Sequence, residues 1–273
     1  MPHTQTPSGR IYYEVHGEGE PLLLHPGFGC TVEIYWRNTQ PLAERFRVIV
    51  FDPRGAGRSD TGPPDMLMKD FADDAAALLD ALDIDTAHVF GTSFGGMVAQ
   101  HIALEHPSRV RRLVLGCTTA GGAQHVLPPA ENMARFIAAS EIADPVEAMR
   151  STYFINYSEE FVAAWDDRLA ERARANEHLR SDPDGRASQI HAVQNHDTHG
   201  RLRDIAAPTF VAHGTDDGTV PVENGTMLAN AIPGSMLRLY PGGRHLFFTE
   251  CADALNRDII DFLTAPEPHI PPK

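Results

Sequence analysis

Cysteine is scarce in this 273-residue chain: Cys30, Cys117 and Cys251 are the complete set. An odd number at wide spacing is not a disulfide framework, and it suits a reducing compartment, so a cytoplasmic location is expected. A basic block is also missing. Lys and Arg number 23 against 37 Asp and Glu, a formal net charge of −14. Nucleic-acid binding needs a basic face, so no nucleic-acid partner is expected, and the same charge disfavours anionic membranes. Solubility is the plainest use of the acidity. No apolar run approaches the ~18 residues of a membrane span. The segment from Met1 to Pro7 has neither a basic start nor an apolar stretch, so no signal peptide is expected. No internal repeat is visible. What remains is an apolar fraction of 42%, ordinary for a globular protein, and a length that fits one α/β domain with an insertion.

Strand-like and helix-like segments alternate along most of the chain. Arg10 to Val15 and Pro21 to His25 flank Gly17-Glu18-Gly19-Glu20 and read as a hairpin. The apolar run Arg47 to Phe51, ended by Asp52-Pro53, reads as a strand buried on both faces. Phe71, Ala75, Leu78, Leu79 and Leu82 fall at helical spacing, with Asp70, Asp73, Asp74 and Asp80 elsewhere around the helix. Further strands are expected at His88 to Phe90, Arg112 to Cys117, Thr209 to His213 and Met236 to Tyr240. A helix is expected from Met97 to Glu105, stopping before Pro107 because the residue before proline is pushed out of helical geometry. Leu255, Ile259, Phe262 and Leu263 give a last amphipathic helix, and the Pro-rich tail from Pro266 to Lys273 should fray. Such alternation implies a mostly parallel central sheet with helices on both faces.

Between Thr119 and Ala206 the alternation stops. Only helices are legible there, at about Ala130 to Ser140, Pro145 to Thr152, Glu159 to Asn176 and Gly185 to Asn195. In the third, Phe161, Trp165 and Leu169 repeat every four residues, so an apolar stripe must cover something. Ligands in open α/β sheets bind outside the carboxyl ends of the strands, and a helical lid over that end makes a closed, mostly apolar pocket. The expected organisation is a core of residues 1–118 and 207–273 with a helical cap of residues 119–206. Phe136, Met149, Tyr153, Phe154, Phe161 and Trp165 are the candidate pocket lining; the competing reading is that they hold the lid on the core.

The densest chemical signal is Gly91-Thr92-Ser93-Phe94-Gly95-Gly96. It lies between an apolar strand and a helix, the context required of a G-x-S-x-G nucleophile elbow. A helix N-cap would also use Ser93, but it leaves the glycines unexplained. A serine hydroxyl is inert at its own pKa and needs an adjacent base. Of fourteen histidines, His245 is best placed, in a Gly-rich turn between the last strand and the last helix. The acid is Asp216 or Asp217, in the turn after Thr209-Phe210-Val211-Ala212. Acyl transfer also needs two N–H donors for the developing oxyanion. Phe94, which follows the serine, supplies one; Phe28, in the Gly-rich loop His25-Pro26-Gly27-Phe28-Gly29, supplies the other. The order Ser, Asp, His is that of one known architecture.

These segments, together with Asp52-Pro53-Arg54-Gly55-Ala56-Gly57-Arg58-Ser59 and Gly243-Arg244-His245, resemble the α/β-hydrolase family from about Arg10 to Leu263, the 119–206 segment looking like that family's variable cap. The resemblance implies an α/β-hydrolase fold and a serine hydrolase. It selects Asp217 as the acid, four residues before Pro221. It leaves empty an alternative acid position after Cys117, where Thr118 and Thr119 stand. It implies a hinge role for His191, His196 and His199, and it points toward small carboxylesterases and enol-lactonases. A small departure is Arg244, where many members carry glycine or another small residue. The expected activity is cleavage of small to medium, fairly apolar carboxylic esters through an acyl-enzyme, with no cofactor and no metal. Lactone or C–C bond hydrolysis by the same triad is the alternative, and a small-molecule receptor on the same scaffold is a third. His25 and His88 are expected to be structural, as is the Asp52, Arg54 and Ser59 group, and Cys30 a buried, inert thiol.

Overall fold

The computed structural model describes residues 2–181 and 183–266; the expected fray beyond Pro266 lies outside them. The chain opens with β1 (His3–Thr6) and β2 (Gly9–His16), an antiparallel hairpin with Thr6 opposite Gly9. The polar β1 stretch has no apolar alternation, so nothing in it announces a strand. After β3 (Glu20–His25) come α1 (Thr39–Ala43) and β4 (Phe46–Phe51). Then α2 (Met68–Ala81), β5 (Ala87–Thr92), α3 (Phe94–Glu105) and β6 (Val110–Gly116) follow in βα alternation. The eight-stranded sheet is completed by β7 (Thr209–Gly214) and β8 (Met236–Tyr240) in the order β1-β2-β4-β3-β5-β6-β7-β8. From β4 to β8 every pairing is parallel.

The expected hairpin between Arg10 to Val15 and Pro21 to His25 does not form. β4 lies between them, antiparallel to β2 and parallel to β3. Val48, Ile49 and Val50 are almost wholly buried, and a strand apolar on both faces is stable only inside the sheet. The linking turn crosses the start of β4 instead of closing a ladder. At Gly17, with φ +71°, a side chain would overlap the backbone of Ala43 and Phe46.

Period-two alternation sorts the strand residues onto the two faces. Leu23, Ile49 and Val89 face a core formed with α2 and α3, including Phe71, Leu78, Val98 and Ile102. Leu22, Leu24, Val48 and Val50 face the other way, against α1 and the terminal helices α10 (Phe247–Glu250) and α11 (Ala252–Thr264), which follow α9 (Val222–Ala231).

Between β6 and β7 run α4 (Ala130–Ser140), α5 (Pro145–Ser151), α6 (Tyr153–Asn156), α7 (Glu159–Ala175) and α8 (Pro183–Gln194). The insertion is pinched at its base, where Gly121 bridges Asp197 and the Thr198 N–H donates to the Ala120 carbonyl at 2.9 Å. His196, buried, hydrogen-bonds the Thr119 carbonyl through Nε2 at 3.1 Å and belongs to that pinch. No helix among the described residues is long and apolar enough to cross a membrane.

Candidate active site

The strand-to-helix turn after β5 is sharp enough to force Ser93 to φ 54°, ψ −118°. A non-glycine residue there costs on the order of 1–3 kcal/mol and persists only where its surroundings over-determine it. They do. The Ser93 N–H donates to the Gly116 carbonyl at 2.8 Å, and the Ser93 carbonyl accepts from the N–H groups of Gly96 and Met97 and from the Thr118 hydroxyl at 2.7 Å. Helix α3 begins at Phe94, earlier than the expected Met97, so the serine stands directly on its first turn. Gly95 packs so closely on the His25 and Pro26 carbonyls that a side chain would overlap them, which brings the His25–Gly29 loop alongside the elbow.

The turn after β7 folds around Asp217, whose Oδ1 accepts from the Thr219 and Val220 N–H groups, each at 2.8 Å. The turn after β8 delivers His245. Its Nδ1 lies 3.0 and 2.9 Å from the two oxygens of Asp217, and its Nε2 lies 3.1 Å from the Ser93 hydroxyl. A carboxylate only accepts, so Nδ1 carries the proton and Nε2 is left to accept from Ser93. Burial pushes the Asp217 carboxyl up, but His245 and His213 outweigh it and hold the group well below the usual carboxylate range. Asp216 points elsewhere: it is exposed, and its carboxylate accepts from the Thr215 hydroxyl at 2.7 Å.

Two backbone N–H groups lie on the segments that meet at the elbow. A side-chain carbon at Gly27 would sit 3.6 Å from the Ser93 Cβ, so the loop carrying Phe28 lines the elbow. Among the described residues neither the Phe28 nor the Phe94 N–H is donated to a protein acceptor. Unpaired N–H groups beside a serine hydroxyl, one of them at a helix N-terminus, are the kind of donors that developing negative charge requires.

Over residues 20–250 the sequence matches the family model of the α/β-hydrolase fold. The chain belongs to the α/β-hydrolase family. It is 30% identical to the inferred carbamate hydrolase RutD of Azorhizobium caulinodans over 267 residues, 96% of this chain and 98% of that protein. It is 32% identical to the 2-hydroxy-6-oxononadienedioate/2-hydroxy-6-oxononatrienedioate hydrolase of Comamonas testosteroni over 265 residues, 93% and 91% of the two chains. A solved structure of an N-acyl homoserine lactone degrading enzyme superposes with a TM-score of 0.79 at 30% identity, covering 96% of this hydrolase and all of that chain.

The residues expected to line a pocket fall into two groups. Phe161 is buried with Tyr157 and Leu169, and Met149, Tyr153 and Trp165 pack on that cluster beside Trp36 and Leu246. The cluster therefore joins the cap both to the core segment at Trp36 and to the residue after His245. Phe136 is 37% exposed on α4 and belongs to no buried cluster. Phe154 lies beneath the Arg135 guanidinium, and its carbonyl accepts from Arg244 at 2.8 Å, which gives the unusual arginine a contact. Trp165 stacks on Phe161 at 5.6 Å, meets Trp36 edge-on at 5.5 Å and lies under the Arg37 guanidinium at 4.8 Å. Replacing Trp165 with alanine is expected to loosen this seam. Stability should fall by less than the about 3–5 kcal/mol of a fully buried Trp, and the ranking of short against long acyl esters should change. A chain-length profile unchanged despite a large loss of stability would make Trp165 packing only.

Two neighbours of the site, His213 and the helix α6, carry no signal in the sequence. His213, at the end of β7 and fully buried, places Nε2 3.3 Å from Asp217 Oδ2 and 2.8 Å from the Val220 carbonyl, putting a second imidazole beside Asp217. The one-turn helix α6 accepts the His245 and Leu246 N–H groups through the Ile155 and Asn156 carbonyls, each at 3.0 Å, so the cap holds the histidine turn. His25 is buried against Phe51, and burial pushes its imidazole down to about 4, partly offset by its bond to the Pro26 carbonyl. Asp52 is buried and pairs with Arg58, while Arg54 pairs with Asp74. Burial pushes the Cys30 thiol up to about 11, which disfavours the thiolate that reactivity requires. Among the described residues no three His, Cys, Asp or Glu side chains are grouped to hold a metal ion.

Proposed function

We propose that this α/β hydrolase cleaves carboxylic esters, open-chain or cyclic, of small to medium and fairly apolar substrates. Ser93 attacks the carbonyl carbon while His245 takes its proton at Nε2 and Asp217 keeps the imidazole in that tautomer. The Phe28 and Phe94 N–H groups stabilise the oxyanion, each worth about 3 kcal/mol by analogy with removal of a single donor. His245 then protonates the departing alcohol, and water, deprotonated by the same nitrogen, hydrolyses the acyl-enzyme. The observation that carries the reading is the continuous relay from the Ser93 hydroxyl through His245 to Asp217 beside two unpaired N–H groups. The cycle uses no cofactor and no metal. The partner is a small-molecule ester, with no nucleic acid and no membrane involved, and the free thiols fit a reducing cytoplasm.

The relatives' names span a carbamate, a C–C bond and a lactone, and what these share is attack at a trigonal carbon bearing oxygen. The 32% identity to a C–C bond hydrolase favours that activity as the second reading. A panel decides: p-nitrophenyl esters of increasing chain length, a bulky aromatic ester, an enol-lactone, an N-acyl homoserine lactone, an alkyl carbamate and a ring-cleavage dienoate. Esters and lactones should turn over repeatedly, with the highest kcat/KM for short to medium acyl groups. Turnover confined to the dienoate would replace the reading with C–C hydrolysis. A single turnover with retained ligand would make the protein a receptor.

A further inference from the structure

Gln189 belongs to α8 in the cap, yet it is fully buried against the core. Its Oε1 accepts the Gly29 N–H at 2.7 Å, and its Nε2 donates to the Arg54 carbonyl at 3.1 Å, so both ends of the amide are satisfied. Gly29 follows Phe28. Of these two successive N–H groups, one is tied to Gln189 and the other is left for the substrate. The same stretch of cap touches the same loops twice more. The Ser181 hydroxyl donates to the Gly29 carbonyl at 3.4 Å, and the backbone of Gly185 lies directly on that of Gly55, with no room for a side chain on either. The other end of the loop is held from the core, where the Tyr35 hydroxyl donates to the His25 carbonyl at 2.7 Å.

We propose that Gln189 is a positioning residue for the oxyanion hole: an amide strut through which the seated cap fixes the direction of the Phe28 N–H. The proposal rests on Phe28 acting as an oxyanion donor, as proposed above. Phe28 sits between two glycines, Gly27 and Gly29, the least restrained backbone available. A donor works in catalysis only when it is already aimed at the charge that develops. The strut removes that freedom, and it does so from the lid, so the hole is complete only while α8 is docked.

The test uses the full chain with Gln189→Met, which keeps length and burial but loses both hydrogen bonds, and Gln189→Asn, one methylene shorter, which keeps an amide but withdraws it from Gly29. Each is assayed for kcat and KM on a p-nitrophenyl ester, for affinity toward a boronic acid that binds serine as a tetrahedral adduct, and for its pH–rate profile. Misplacement by about 1 Å can cost about 100-fold, so kcat should fall about 10- to 100-fold with KM little changed. Boronic acid affinity should fall in parallel. The acid limb of the profile should stay in place, because Gln189 touches neither His245 nor Asp217. Gln189→Asn carries the measurement if Gln189→Met does not fold. Wild-type kcat in either folded variant overturns the strut, as does a loss of rate accompanied by a displaced acid limb. No ester turnover by the wild-type chain would instead remove the functional reading beneath it.

Discussion

Ser93→Ala is expected to lower ester turnover by a factor on the order of 10⁶, by analogy with loss of the serine in a triad protease, and to leave the fold intact. In the proposed mechanism this hydroxyl forms the acyl bond, and removing it takes away little packing. Ser93 is held by its own backbone, through the Gly116 carbonyl and the Thr118 hydroxyl, and not by its side chain. Its positive φ is as awkward for alanine as for serine, so the thermal midpoint should stay within a few degrees. The variant should still bind substrate, because the loop at Phe28 and the cap are untouched. An organophosphate should modify wild-type protein at Ser93 and nowhere else, which peptide mass spectrometry reads directly. Ordinary turnover by a folded Ser93→Ala protein, or an adduct at another serine, would remove the nucleophile from the proposed mechanism.

What could be read from the sequence follows the range of the interactions involved. The βα alternation and the elbow are local: apolar runs such as Val48-Ile49-Val50 and glycines around a serine leave their mark within a few residues. Four of the five helices between β6 and β7 were legible for the same reason, α4 beginning and ending at the expected Ala130 and Ser140, but the one-turn α6 was not. Pairing is not local. Arg10 to Val15 and Pro21 to His25 look like neighbours in sequence, but the doubly apolar β4 takes the place between them. β1 stayed hidden because its polar side chains carry no period.

The site divides along the same line. Ser93, Asp217 and His245 each sit in a turn with its own sequence signature, and the structure brings the three into one hydrogen-bonded row. The residues that hold the loops around them are distant in sequence and chemically unremarkable. Gln189 reaches across 160 positions to Gly29, and the Ile155 carbonyl reaches forward to His245. No spacing rule connects such pairs. The aromatic stripe of α7 was visible from its four-residue period, but the period states only that a face is covered. The structure supplies the covering as Trp36 and Arg37, residues in a loop with no pattern of its own.

Asp217 and Asp216 are adjacent, identical in chemistry and opposite in setting, so the pair offers the sharper test of the relay. Asp217 accepts from the Thr219 and Val220 N–H groups and from the His245 imidazole, while His213 Nε2, bonded to the Val220 carbonyl, stands 3.3 Å from Oδ2. Every group hydrogen-bonded to that carboxylate is a donor. An asparagine must turn its NH₂ either toward the turn amides or toward His245, and either way a donor faces a donor. The least costly escape is for His245 to exchange tautomers, which puts its proton on Nε2 and leaves nothing to accept from Ser93. In a triad protease the same change costs about 10⁴-fold in kcat, and Asp217→Asn should cost this hydrolase a similar factor. Asp216→Asn should stay within a few-fold of wild type and within about 0.5 kcal/mol in stability, because an exposed amide oxygen can still accept from the Thr215 hydroxyl. Because His245 and His213 hold the Asp217 carboxyl well below the ordinary carboxylate range, it stays charged as the pH falls through that range. Rate lost there by wild-type enzyme is therefore not the loss produced by Asp217→Asn, and lowering the pH should not mimic the variant. The measurement is kcat/KM of both variants on one ester across pH. Equal losses, or a greater loss from Asp216→Asn, would put the acid elsewhere and leave His245 to be oriented by another group.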